Sequence, residues 1–214
     1  MIRRFETYAF LPGVPEDGRR ELARVVAETD RYIPEVLDNW AGWNGAGSDA
    51  ELVWEHAFES VSAYRRYMVH RYHAEVLDRY VLVDSPERIV ETLRGAGLFG
   101  YSCPGAPYRL EHGARRVVLL QLERSAGPSE VDSLERRLAD ATREAGGVLS
   151  VLARNTMADR WYDGVTRLPM PVRFTHVWEQ GFPSGEVMRA TDVGRVLDDP
   201  VVRRTSELAY ELFS

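Results

Sequence analysis

The sequence predicts an α+β protein made of two tandem copies of one unit, each an antiparallel sheet with helices on one face. Three observations carry this. Trp54-Glu55-His56-Ala57-Phe58-Glu59-Ser60 recurs 124 residues later as Trp178-Glu179-Gln180-Gly181-Phe182-Pro183-Ser184, with four of seven positions identical. Arg3-Arg4 opens an apolar run ending at Leu11, and Arg115-Arg116 opens another ending at Leu122. Both halves then show strand and helix patterns in the same order, β-α-β-β-α, which favours an antiparallel sheet with one helical layer. A repeated unit of this kind suggests two halves that pack on each other and share a cavity.

In the first half, residues 2–11 mix aromatic, β-branched and polar side chains and stop at Pro12-Gly13, so they read as a strand. Pro15-Glu16-Asp17 starts a helix that runs to about residue 32, with Leu22, Val25, Val26 and Thr29 on one stripe. Residues 36–44 and 51–58 are strands separated by the glycine-rich turn 45–48. Ser60 caps a further helix carrying Ala63, Tyr64, Tyr67 and Met68 on one face. Ser85-Pro86-Glu87 starts another helix, to about residue 94, and residues 98–103 are a candidate fourth strand. In the second half the strands fall at 117–122, 148–155 and 172–182. A helix covers 129–144 between the first two, and a last helical region begins at Ser184. The expected boundaries are therefore 1–103 for the first unit, 104–113 for a linker and 114–214 for the second, diverged unit.

The 214 residues are 44% hydrophobic and 10% aromatic, which is enough for a sizeable core. A net charge of -6 argues against a nucleic-acid partner, which needs a concentrated basic surface. No apolar run approaches the ~18 residues of a membrane span. The acidic first twenty residues do not read as a signal peptide, and the single Cys103 cannot form an internal disulfide, so a cytoplasmic setting is expected.

Several motifs resemble a known family. Leu11-Pro12-Gly13-Val14, Tyr32-Ile33-Pro34 and the stretch from Phe58-Glu59-Ser60-Val61 to Tyr72-His73 resemble the stress-responsive dimeric α/β-barrel (Dabb) domain. That family often has a Phe-Glu-Ser-Val element and then a Tyr three residues before a His-Pro-x-His. Tyr67, His70 and His73 fit the spacing, with Arg71 in place of the Pro. The match covers residues 2–80; the second half has Asp199-Pro200-Val201-Val202 where the histidines would stand. The resemblance implies ferredoxin-like units whose two sheets close into a barrel, here a pseudo-dimeric one supplied by a single chain. It also implies the chemistry of olivetolic acid cyclase-type members, which close a linear polyketide by an aldol reaction with a Tyr and a His. The matching positions are Tyr67 and His73.

The residue chemistry is consistent with that expectation. A neutral imidazole takes a proton near pH 7, and a phenol donates to a developing enolate oxygen. His73 is thus the candidate base and Tyr67 the candidate oxyanion donor, with His70 beside them. A capping His among half-buried aromatics is the alternative. Leu52, Trp54, His56 and Phe58 share one strand face, as do His176, Trp178, Gln180 and Phe182. These are read as walls of a ligand cavity, Trp54, His56, His176, Trp178 and Gln180 binding substrate, against the alternative of a core with satisfied imidazoles. Glu55 and Glu179 fall on the opposite face, solvated or paired. Arg4 and Tyr8 of the first strand complete the substrate-binding set, Arg4 holding an acidic group unless it pairs with Glu6. Trp40 and Trp43 could wall a cavity mouth or pack in the core. No carboxylate or Cys completes a metal site with His70 and His73, and the 42–47 glycines lack a nucleotide-loop pattern, so no metal or cofactor is expected. The lead expectation is a polyketide-cyclase-type enzyme acting on an apolar, oxygen-rich small molecule. Its alternatives are a non-catalytic stress or ligand-binding protein and a cofactor-free monooxygenase. The oligomer is left open, a homodimer included.

Overall fold

A computed structural model describes residues 1–45, 51–91, 99–102, 110, 112–154, 175–192 and 194–213. Two four-stranded antiparallel sheets organise it. The first is ordered β2-β3-β1-β4, from β1 Ile2–Tyr8, β2 Asp38–Trp43, β3 Leu52–Phe58 and β4 Phe99–Ser102. The second is ordered β6-β7-β5-β8, from β5 Ala114–Leu122, β6 Leu149–Arg154, β7 His176–Phe182 and β8 Val202–Glu211. In each, the first strand of the half lies in the middle and the fourth returns beside it, the ferredoxin-like arrangement. Helices α1 Glu16–Ala27, α2 Thr29–Tyr32, α3 Val61–Met68 and α4 Asp78–Val81 belong to the first half, with a π-helical turn His73–Leu77 before α4. Helices α5 Pro128–Glu144, α6 Gly185–Ala190 and α7 Gly194–Leu197 belong to the second.

Side chains alternate along each strand, and both faces of both sheets are covered. One face of the first sheet carries Tyr8, Leu52, Trp54 and Phe58 and packs under the helices with Leu22, Val25, Val26, Tyr64, Tyr67 and Leu77. One face of the second carries Val118, Leu120, Trp178 and Leu152 and packs on Leu134 and Leu138 of α5. The remaining faces meet each other. Val53 of β3 joins Val117, Leu119, Ala153, Val177, Leu208 and Tyr210 of the second sheet in one cluster. The sheets also join at their edges. Gly45 N donates to Ala209 O at 2.7 Å and Phe213 N to Ala41 O at 3.1 Å, so β2 runs beside β8, while β4 lies against β6.

Two expectations change. The Trp54/His56 and Trp178/Gln180 faces point to the helical layers, not to the space between the sheets. β3 is buried along its whole length, so alternation marks two faces without saying which is inner. Residues 85–91 form turns instead of a helix: Ile89 N donates to Tyr80 O, and Val90 bridges Phe10. Tertiary pairing there overrides the Ser-Pro-Glu start signal, and 92–94 lie outside the described residues. The helical region expected from Ser184 is present as α6 and α7, and the chain then adds β8, a strand whose place the sequence left open because its Arg and Glu content masks it; it pairs along β5 from Ala114 to Leu122. Most of the 104–113 linker and the start of the strand expected over 172–182 also lie outside the described residues.

Candidate functional site

Five of the candidate residues converge under α3. On β1, Arg4 stands directly across from His56, Glu6 from Trp54 and Tyr8 from Leu52, so Arg4, Glu6, Tyr8 and His56 share the helix-facing side. Ser60 starts α3 by accepting from Ala63 N at 3.2 Å, which turns Tyr64 and Tyr67 down onto this patch. The helix breaks after Met68. His70 accepts from Tyr72 N at 3.2 Å and turns the chain into the π-helical segment that begins at His73. That bulge swings His73 back onto the cluster, its ring 4.5 Å from the Tyr67 ring in an edge-on contact. His70 itself is half-buried and shapes the turn.

The cluster is dense in polar groups. Arg4 forms an ion pair with Glu6 at 3.1 Å and donates to the Tyr64 hydroxyl. Tyr8 donates to the other Glu6 oxygen at 2.5 Å. His56 Nε2 lies 4.0 Å from Glu6, and the His56 ring sits 4.1 Å from Trp54 and 5.4 Å from Tyr67. His73 Nδ1 lies 3.5 Å from Asp78. Among the described residues, the Tyr67 hydroxyl and both His56 nitrogens make no hydrogen bond, although both side chains are fully buried. Such groups cost about 1–3 kcal/mol each, so they are unusual in a plain core. Burial, Arg4 and His73 together hold the His56 imidazole well below its ordinary range, so it is neutral. Burial and then Glu6 push the Tyr67 phenol up, against Arg4, so it remains a donor.

The second-half candidates are not brought to this cluster. Trp178 donates to Ser150 at 2.9 Å and Gln180 to Thr142 at 2.8 Å, both beneath or beside α5. His176 is half-buried at the start of β7, its Nδ1 3.0 Å from Thr175 Oγ1. Trp54 donates to Asn39 at 2.6 Å and walls the first cluster.

Between the sheets lies a group of charges whose partners the sequence did not name. Arg115 holds Glu55 with two hydrogen bonds, at 2.9 and 3.1 Å, and approaches Glu179 at 3.3 Å. Arg3 lies 3.5 Å from Asp38 and 3.7 Å from Glu179. Tyr210 donates to Glu55, and both guanidiniums stack on Trp40 at 4.4 Å. The signal was present in the two Arg-Arg pairs. Consecutive strand residues face opposite ways, so Arg3 and Arg115 go between the sheets while Arg4 and Arg116 go under the helices. Glu55 and Glu179 are thus paired and fully buried, not solvated. Trp43 is 40% exposed against Phe10 and Phe213, away from both clusters. Among the described residues, no three His, Cys, Asp or Glu side chains are grouped to hold a metal ion.

The sequence matches no family model and no curated protein. Solved structures do match. A protein provisionally named a monooxygenase from Fusobacterium nucleatum aligns over 100% of this chain and 92% of its own, at 7% identity and a TM-score of 0.68. A variant chlorite dismutase from Candidatus Nitrospira defluvii aligns over 100% and 91%, at 12% identity and a TM-score of 0.59. At these identities the likeness is one of fold. The shared feature is the pair of four-stranded antiparallel sheets with helices on their outer faces.

Proposed function

We propose that the chain is a small acid–base enzyme of polyketide-cyclase type, working in the cluster under α3. One observation supports this most: Arg4, Tyr8, His56, Tyr67 and His73 converge on one buried patch, with the Tyr67 hydroxyl and the His56 ring lacking hydrogen-bond partners among the described residues. In this reading His73 removes a proton from a carbon flanked by two carbonyls. Tyr67 donates to the enolate oxygen, and the enolate carbon attacks a distal carbonyl of the same chain. The resulting alkoxide takes the proton back from His73. His56 and Arg4 orient the carbonyl oxygens, while Trp54 and Phe58 supply apolar walls. Admission of substrate requires α3 and the π-helical turn to lift, because the cluster is closed. We also read residues 1–103 and 114–214 as two fused copies, joined by 104–113, forming one pseudo-symmetric barrel. The shared strand order and the equivalent places of Trp54 and Trp178, third in β3 and in β7, support this.

The test is deuterium exchange at the acidic carbon of a linear poly-β-keto thioester in D2O, followed by NMR, with mass analysis for the ring-closed product. Tyr67→Phe and His73→Ala should each slow exchange by about 10²-fold or more. An unchanged rate in His73→Ala contradicts the assignment. A second reading, a non-catalytic barrel protein, is favoured by the packed space between the sheets; it predicts exchange at the buffer rate from every form. The likeness to the monooxygenase-named protein favours a third, in which the same carbanion meets dioxygen, and oxygen uptake during the assay distinguishes it.

A further inference from the structure

We infer that the Glu55–Glu179 carboxyl pair between the sheets retains one proton at neutral pH, and that this proton latches the two sheets together. The geometry carries the inference. Six strands converge on the spot: Arg3 from β1, Asp38 and Trp40 from β2, Glu55 from β3, Arg115 from β5, Glu179 from β7 and Tyr210 from β8, all at most 7% exposed. Glu55 and Glu179 both reach the Arg115 guanidinium, at 2.9 and 3.3 Å, and both are fully buried. With both ionised, two like charges crowd one cation where water is excluded, which is expensive. One proton removes that repulsion.

The positions say which carboxyl keeps the proton. Glu55 accepts two hydrogen bonds from Arg115 and a third from Tyr210, all of which favour its ionised form. Glu179 accepts no hydrogen bond among the described residues, and its nearest cationic nitrogens stand at 3.3 and 3.7 Å. Burial therefore dominates Glu179 and pushes its carboxyl well above the usual range, outweighing Arg3, with Glu55 adding to the rise. Burial also pushes Glu55 up, but Arg115, Tyr210 and Arg3 outweigh it and hold that carboxyl low.

Each carboxyl bounds the working range from one side. A group raised on folding contributes stability that is complete below its ordinary value and is lost as pH rises through its folded value; that is Glu179. A lowered group contributes stability present above its ordinary value and lost as pH falls through its folded value; that is Glu55. The seam between β3, β5 and β7 thus contributes most in mild acid, near the ordinary carboxyl range, and weakens progressively toward alkali, where Glu179 ionises against Glu55.

Thermal unfolding of the full chain, Glu179→Gln and Glu55→Gln from about pH 5 to about pH 9 tests this. Glutamine at 179 imitates the protonated acid. The Tm of Glu179→Gln relative to the natural chain should climb with pH, reaching at least about 2–4 °C at the alkaline end, whereas Glu55→Gln should melt lower at every pH. A pH-independent difference for Glu179→Gln, or equal behaviour of the two variants, overturns the proposal. Should Glu179→Gln fail to fold, infrared spectra of the natural chain with isotopically labelled glutamate decide: the carbonyl stretch of a protonated, buried carboxylic acid at neutral pH supports the latch, and its absence overturns it.

Discussion

The Tyr67 hydroxyl is where stability and chemistry pull apart. A buried phenol without a hydrogen-bond partner lowers stability, and a purely structural position would be better served by Phe. Tyr67→Phe should therefore melt at the same temperature as the natural chain or higher, by up to about 1 kcal/mol, while losing exchange activity. A large drop in Tm would mean that the hydroxyl has a structural partner and that the cluster is ordinary core. His56 makes a complementary prediction. Its imidazole is held neutral by burial, then by Arg4 and His73. Its contribution to stability is present above the ordinary His value and lost as pH falls, because the unfolded chain protonates first. His56→Phe should flatten the decline in Tm between about pH 6.5 and about pH 5; an unchanged acid slope would show that His56 is not a buried neutral base. The sequence exposed these residues because their chemistry is unusual for their spacing. Their partners were less visible. Glu6 was named only as a rival for Arg4, and Asp78 was not singled out, since neither belongs to a local pattern that includes His56 or His73.

At the scale of elements, local signals were accurate where the cause is local. Ser60 and Ser184 do cap α3 and α6, each accepting a backbone N–H three residues on. The 129–144 helix expectation lies within α5 Pro128–Glu144. Elements made by distant partners were harder to see. β8 is ordered by pairing with β5, and the 85–91 turns by Tyr80 and Phe10. The strand faces were inverted for a related reason. Alternation identified Glu55 and Glu179 as one face, and charge left them solvated or paired; the structure pairs them, with Arg3 and Arg115 from other strands. The β2–β8 seam gives an element-scale prediction. A Cβ at Gly42 would collide with the backbone oxygen of Glu211 and the Tyr210 ring. Gly42→Ala should cost about 1–3 kcal/mol by overpacking. A neutral result in chemical denaturation would mean that the two edges are not closely apposed.

For the whole molecule, the two halves share a strand order but divide their chemistry unequally. The first half places Tyr67, His73, His56 and Arg4 together beneath α3. The equivalent layer of the second half is Trp178 on an aliphatic core, with Gln180 bound to Thr142 and Arg116 tied to Glu207 at 2.8 Å. The face that joins the halves is packed with side chains, two arginines and three carboxyls among them, which makes it a joint, and the proposed chemistry therefore belongs to the cluster under α3. No helix is long and apolar enough to cross a membrane among the described residues. Central to the proposed function is one step: the closed cluster under α3 opens and abstracts a carbon-bound proton. Solvent-deuterium exchange into a linear poly-β-keto thioester, measured for the natural chain and for His73→Ala, addresses it most directly. The account predicts exchange well above the buffer rate for the natural chain and a fall of about 10²-fold or more for the variant. Exchange at the buffer rate in both, or at equal elevated rates in both, would contradict it.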